Sequence, residues 1–178
     1  MTPADRQPDD ADRGGPSAEE IARRVLDENR YLVLGTADEG GLPWTSPVFY
    51  AAAGHHELFW ISSPEVTHSR NLATRPDVSV VIFDSRAPVG TGDAHAVYMT
   101  ATAAEVPEGD LERVLATVRG FAERGGRDVA PADLRAPAPY RLYRATVTGH
   151  SVICPRPPGV PCAPHGRAYD HRIAVVLP

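Results

Sequence analysis

The chain has 178 residues, 42% hydrophobic and 23% charged, which is enough for one domain with a proper core and too few for two comfortable ones. With 18 Lys+Arg against 23 Asp+Glu the formal net charge is -5, which argues against a general nucleic-acid binder, since such a protein carries a basic excess or stripe. No apolar run is long enough to cross a bilayer, no basic-then-apolar leader opens the chain, and two cysteines suit a reducing compartment. A cytoplasmic protein is expected, with neither a membrane nor a nucleic acid as partner.

Residues 1–16 are rich in Asp, Pro, Gly and Arg without hydrophobic periodicity, and read as a disordered tail ahead of a single domain over 17–178. Ser17-Ala-Glu-Glu20 is a capping-box pattern, and Ile21, Val25 and Leu26 follow at helical spacing, which predicts about three turns ending near Asn29. Tyr31 to Thr36 has strand character, Asp38-Glu-Gly-Gly41 is a turn signal, and Leu42 to Tyr50 resumes the strand pattern, so the two runs predict a hairpin. Pro43 and Pro47 each remove a ladder hydrogen bond, which places the second strand at an edge, at a bulge, or where the ladder opens toward a ligand. Ala51 to His56 reads as the next hairpin loop. His55 and His56 are expected in solvent, because adjacent histidines diverge and no third ligand is spaced near them.

Leu58 to Ile61 is an apolar strand that runs into Ser62-Ser63-Pro64 and then into a short basic helix carrying His68 and Arg70. Ser62 and Ser63 are candidate N-caps, and Pro64 suits the first helical position. The N–H groups and dipole at such a junction can hold a phosphate, although capping alone accounts for the same residue types. Val78 to Phe83 is another strand, 84–94 a Pro- and Gly-containing loop, and His95 to Val106 a long strand with Val97, Met99, Ala101 and Ala103 on one face. Leu111, Val114, Leu115, Val118 and Phe121 form the apolar stripe of an amphipathic helix expected to stop at Gly125-Gly126. An irregular crossover (129–139), a major strand (Tyr140 to Ile153) and a short strand within Tyr169 to Leu177 complete the pattern.

Cys154, Cys162, His165 and His171 lie near one another in sequence without the short cysteine-pair gap of a zinc finger. Two thiols and two imidazoles could bind zinc, and a disulfide could close the loop, but the favoured reading is a Pro-rich loop with two incidental thiols, and no metal ligand is assigned. There is no Gly-x-Ser-x-Gly elbow, no Walker loop and no Gly-x-Gly-x-x-Gly after a strand, so neither a covalent hydrolase nor a Rossmann dehydrogenase finds support. Redox chemistry would have to come from a bound cofactor, and no catalytic residue is assigned.

Taken in order, Tyr31-Leu-Val-Leu-Gly-Thr-Ala37, Gly41-Leu-Pro-Trp-Thr-Ser-Pro-Val48, Leu58 to Ser63, His68-Ser-Arg-Asn-Leu72 and Pro76-Asp-Val-Ser-Val-Val-Ile-Phe83 resemble the pyridoxamine 5'-phosphate oxidase-like family of FMN-binding split barrels. The resemblance covers residues 17–150 and implies a mainly β fold: a split β-barrel, antiparallel and Greek-key-like, with a few packed α-helices. It implies a homodimer with FMN in each of two clefts between subunits. The flavin ring would lie along Trp44, Thr45, Ser46, Pro47 and Val48 and along Trp60, Ile61 and Ser62, with the phosphate at Ser63, His68, Ser69, Arg70 and Asn71. The implied activity is that of an FMN-dependent oxidoreductase acting on a small organic substrate; an F420-dependent reductase and a non-catalytic flavin- or haem-binding sensor are the alternatives. Many relatives carry lysine where this chain has His68, whose charge depends on pH, so weaker and pH-dependent flavin binding, or F420 in its place, is expected. No residues match a pyridoxal phosphate substrate site.

Overall fold

The computed structural model describes residues 15–88, 95–118, 121–156 and 159–178; most of the expected tail and positions 89–94 of the expected loop lie outside the described residues. Helix α1 (Ala18–Glu28) begins with the capping box read from the sequence: the Glu20 N–H donates to Ser17 Oγ, and the Ser17 N–H donates to the Glu20 carboxylate. Its buried stripe is Ile21, Ala22, Val25 and Leu26. No basic residue occupies the last turn, so the exposed carbonyls there are met from elsewhere in the chain: Arg124 donates to the carbonyls of Leu26 and Asn29.

Strands β1 (Tyr31–Ala37) and β2 (Pro43–Phe49) form the expected hairpin, with Asp38 Oδ1 accepting from the Leu42 N–H and Gly41 at φ +88 in the turn. β3 (Ala51–Ala53) pairs with β4 (Glu57–Ser62), so the expected loop over 51–56 shrinks to residues 54–56. The alanines there have a partner strand that composition could not show. After helix α2 (Thr67–Thr74) come β5 (Asp77–Phe83), β6 (Ala96–Glu105), α3 (Leu111–Thr117), β7 (Arg141–Ile153) and β8 (Arg172–Val175). Helix α3 stops at Thr117, well before the glycines expected to end it. The Thr117 hydroxyl and the Val118 N–H both donate to the Val114 carbonyl, and Val118 leaves helical geometry at ψ 81. Val118 and Phe121 are still buried, so the apolar stripe is used although the helix is not continuous.

The strands are ordered β2-β1-β5-β6-β7-β4-β3, with β8 on β7, and every pairing is antiparallel. The two ends of this order, β2 and β3, are consecutive in the chain and are separated only by Tyr50, so the sheet curls back on itself as a split barrel. Tyr50 is fully buried at that corner: its hydroxyl donates to the Leu26 carbonyl at 2.6 Å, the Arg124 guanidinium lies 4.5 Å from its ring centroid, and burial pushes its pKa up to about 12. The long strand β7 meets β4 along its first half and β8 along its last residues. A bulge at Thr148 re-aims the side chains between these halves, because the β6 register jumps from Thr100 opposite Gly149 to Ala101 opposite Val147.

One core fills the barrel and is plugged by α1; it includes Leu32, Leu34, Leu58, Trp60, Val80, Ile82, Met99 and Tyr143. A second core lies on the opposite face of β4 and β7, where Phe59 and Leu142 pack under Leu111, Val114, Val118 and Leu134. Successive residues of β4 therefore point into different cores, and both faces of that strand are covered.

Candidate cofactor cleft

β2 pairs with β1 along one edge, and no described strand pairs with its other edge. Beside that edge, between β2, the end of β4, helix α2 and the segment from Phe121 to Tyr140, lies a cleft of ≈ 610 Å³. Pro47, Val48 and Phe49 of β2, Ile61 and Ser62 of β4 and His68 of α2 line it. The sequence feature that demoted β2 from a central strand, its two prolines, thus coincides with a ladder left open beside a cavity.

A polar chain crosses this region. Trp44 Nε1–H donates to Ser46 Oγ at 3.0 Å, Ser46 Oγ lies 3.1 Å from His68 Nδ1, and His68 Nε2 lies 3.0 Å from Ser62 Oγ. Burial of the imidazole, which is 8% exposed, lowers its pKa below the usual histidine value of 6.5, so the ring is neutral at physiological pH. A neutral ring has one donor and one acceptor, and two assignments satisfy the chain: Ser46 donates to His68 Nδ1 while His68 Nε2–H donates to Ser62, or His68 Nδ1–H donates to Ser46 while Ser62 donates to Nε2. In the first, the Ser62 hydroxyl hydrogen is left to donate to a further acceptor, and Ser62 lines the cleft.

Of the residues expected at a cofactor site, Pro47, Val48, Ile61, Ser62 and His68 line this cleft together, and Trp44 and Ser46 connect to it through His68. Thr45 is exposed on β2. Trp60 does not reach the cleft. Trp60 packs instead in the barrel core, where it is fully buried with its ring 5.8 Å from that of Tyr143 and 14° from parallel. The N-cap expectation at Ser62, Ser63 and Pro64 is also corrected. Helix α2 starts at Thr67 with Val66 at the N-cap position and no side-chain cap; Ser63 instead accepts from the Glu65 N–H within a preceding turn. Arg70 is exposed, and its guanidinium donates to the Glu65 carbonyl at 2.6 Å, which lends the turn the support that a cap would have given. Ser69 and Asn71 face inward. Asn71 Nδ2 donates to Thr36 Oγ1 and ties α2 to β1.

Phe121, Gly126, Arg127, Val129 and Tyr140 supply the remaining wall and were not anticipated. Phe121 read as the end of a helical stripe and residues 129–139 as a crossover, and neither pattern tells which cavity a crossover will border. Gly126 carried the one usable signal. A Cβ there would come within 2.6 Å of the Phe121 carbonyl and 2.9 Å of Phe49, so only glycine fits without movement of the wall.

Residues 18–154 match the family model described as pyridoxamine 5'-phosphate oxidase, which is most of the chain and all of the cleft described above. The chain belongs to the pyridoxamine 5'-phosphate oxidase family. No curated protein sequence gives a match. Among solved structures, HutZ, the heme storage protein from Vibrio cholerae, is 22% identical with a TM-score of 0.58, covering 72% of this chain and 89% of that one. A heme binding protein from Mycobacterium smegmatis is 20% identical with a TM-score of 0.61; the match covers 90% of this chain but 59% of that longer one. A FAD-binding protein from Mesorhizobium loti is 21% identical with a TM-score of 0.56, covering 74% and 90% respectively. At these identities the likeness establishes the split-barrel fold alone. No described helix is long and apolar enough to cross a membrane.

Proposed function

We propose that the chain is an FMN-dependent oxidoreductase that works as a homodimer on a small organic substrate. The observation that carries the reading is the convergence of Pro47, Val48, Ile61, Ser62 and His68, from three separate elements, on one cleft beside an open strand edge. The donor set suits a flavin. Apolar Pro47, Val48 and Ile61 match the faces of a planar ring, and the Ser62 hydroxyl can donate to its polar edge. Bound FMN would supply hydride acceptance and donation; the protein's part is orientation and electrostatics.

Arg70 is the cation best placed to meet a phosphate at the start of α2, once its guanidinium exchanges the Glu65 carbonyl for the anion. His68 contributes a hydrogen-bonding imidazole and no charge at neutral pH, since burial keeps it deprotonated. Arg127, which also lines the cleft, is a second cation near it. The Asn71–Thr36 bond fixes the turn relative to the β1–β2 hairpin, so the two ends of the cofactor would be held on one rigid unit. The dimer is supported by the hairpin's surface, where Tyr31, Leu42 and Trp44 are 62%, 70% and 50% exposed. Exposed apolar side chains at both ends of the hairpin suit burial against a second subunit.

The test is the absorbance spectrum of the purified full chain with mass spectrometry of any small molecule released from it, followed by FMN titration and addition of a reduced nicotinamide. A flavin spectrum that bleaches on reduction supports the enzyme. A Soret band would transfer the chain to haem binding, and a colourless protein that binds F420 but not FMN would make it an F420-dependent reductase.

A further inference from the structure

Beyond Ile153 the chain leaves β7, folds a small loop and returns as β8. The loop is inside out for an ordinary peptide segment. Its two thiols, Cys154 and Cys162, are 4% and 2% exposed, whereas its large apolar side chains Val160 and Tyr169 are 48% and 62% exposed. A segment without an apolar core needs some other staple to hold one shape.

The backbone draws four side chains to the middle of this loop. The Cys154 N–H donates to the His171 carbonyl at 2.9 Å, which ties the start of the segment to its end. Cys162 and Arg167 exchange two backbone hydrogen bonds, of 2.7 and 3.1 Å, around a turn in which Gly166 adopts φ +60. That tight hairpin sets Cys162 and His165 side by side. The largely buried Arg156 side chain adds hydrogen bonds to Asp170 and to the Val160 carbonyl.

One ligand-type atom from each of Cys154, Cys162, His165 and His171 lies within 4.8 Å of the others. The sulfurs are 3.6 Å apart, and His165 Nδ1 is 3.1 Å from Cys162 Sγ and 3.6 Å from Cys154 Sγ. A tetrahedral ion with bonds of about 2.3 Å to sulfur and about 2.05 Å to nitrogen sets edges of roughly 3.8 Å for S···S and roughly 3.6 Å for S···N. A disulfide would need a separation of about 2.05 Å. His171 completes the set. Its Nδ1 donates to the Tyr169 carbonyl, which leaves Nε2 as the lone-pair nitrogen, and Nε2 is sealed from solvent without a hydrogen-bond partner among the described residues. A histidine held by a carbonyl on one nitrogen presents the other to a metal in this way.

We propose that Cys154, Cys162, His165 and His171 form a structural zinc site that clamps the segment after β7 against the start of β8. Two thiolates with two imidazoles select zinc over the hard cations, and four protein ligands leave no open position for substrate. The expectation of two incidental thiols rested on spacing alone. Spacing could not show that two hydrogen-bonded chain reversals would bring all four groups to one point.

The experiment uses the full chain, freed of any affinity tag and prepared under reducing conditions, with metal content measured by inductively coupled plasma mass spectrometry. The expected result is close to one zinc per chain, lost in Cys162→Ser and in His171→Ala. After zinc removal, Co(II) should give the visible bands of a tetrahedral thiolate site. If those variants fail to fold, zinc and cobalt titration of the unaltered chain still decides. A reduced chain that takes up neither ion overturns the proposal, as does an intact mass showing that the native state holds a Cys154–Cys162 disulfide. The four residues are separate from the cleft, so flavin binding can fail while zinc binding holds, and the reverse.

Discussion

The cleft beside β2 and the cysteine-histidine loop after β7 differ in how their polar atoms are satisfied. In the cleft, His68 is bracketed by Ser46 and Ser62, Asn71 is bonded to Thr36, and Arg70 rests on a carbonyl, so the protein partners its own groups and a ligand must displace or extend what is there. In the loop, buried thiols face histidines around a common centre and one imidazole nitrogen has no partner among the described residues. The first arrangement is a preformed surface that keeps its shape without a ligand. The second is tied by backbone hydrogen bonds but has exposed apolar side chains and four converging ligand-type atoms, which points to an ion as part of its fold.

Removing the metal should therefore have a large effect on stability and a small one on the cleft. Chelation of a site filled to about a hundred times its dissociation constant should lower Tm by roughly 5–10 °C. FMN affinity of the still-folded chain at 25 °C should change less than about twofold, within the additivity expected of distant sites. Calorimetry and fluorescence titration on the same sample check both halves, and a parallel loss of flavin binding would show that the two regions are coupled.

Trp60 separates core from cofactor within the family-matched region. Truncation to alanine should cost about 3–5 kcal/mol of folding stability, the range for a large buried aromatic. Trp60→Phe should fold and keep FMN affinity within about twofold, because the ring faces Tyr143 and not the cleft. A flavin affinity that collapses in Trp60→Phe while urea unfolding is unchanged would return this residue to the site.

Arg70→Ala should weaken FMN binding by at least ~1 kcal/mol, the scale of one charge-assisted hydrogen bond. Unchanged affinity with intact folding would remove Arg70 from the phosphate site.

The smallest effect is one of pH. His68 binds its proton more weakly when folded than in the unfolded chain, because burial disfavours the charged ring. The unfolded chain therefore takes up more protons as pH falls through 6.5, and folding stability declines from there until the lower folded pKa is passed. His150, lowered chiefly by burial as well, adds to the same decline. Urea unfolding of the apoprotein between neutral and mildly acidic pH should show that slope, and His68→Gln should flatten it in part. An unaltered slope in His68→Gln would mean that His68 titrates alike in both states.

How much the sequence revealed follows the range of the interactions involved. The capping box at Ser17 and Glu20, the alternation of Val97, Met99, Ala101 and Ala103, and the prolines of β2 act over a few residues, and each appears where it was expected. The start of α2 was misplaced because Ser-Ser-Pro satisfies a turn as well as a cap, and Arg70, five residues beyond Glu65, settles which one forms. The wall from Phe121 to Tyr140 and the meeting of Cys154 with His171 depend on where β7 lies in the sheet, and no local pattern carries that information. Trp60 sits in the barrel core against Tyr143, its cross-strand partner on β7, and a local apolar run does not show which strand it will pair with.

The account rests on the cleft beside β2 holding a flavin. The most direct measurement is the absorbance spectrum, with mass analysis of the released ligand, of full-length protein purified without added cofactor and then titrated with FMN. The account predicts bound FMN, or stoichiometric uptake of it, at close to one per chain. A protein that carries no flavin and shows no change in FMN fluorescence across the titration would contradict it.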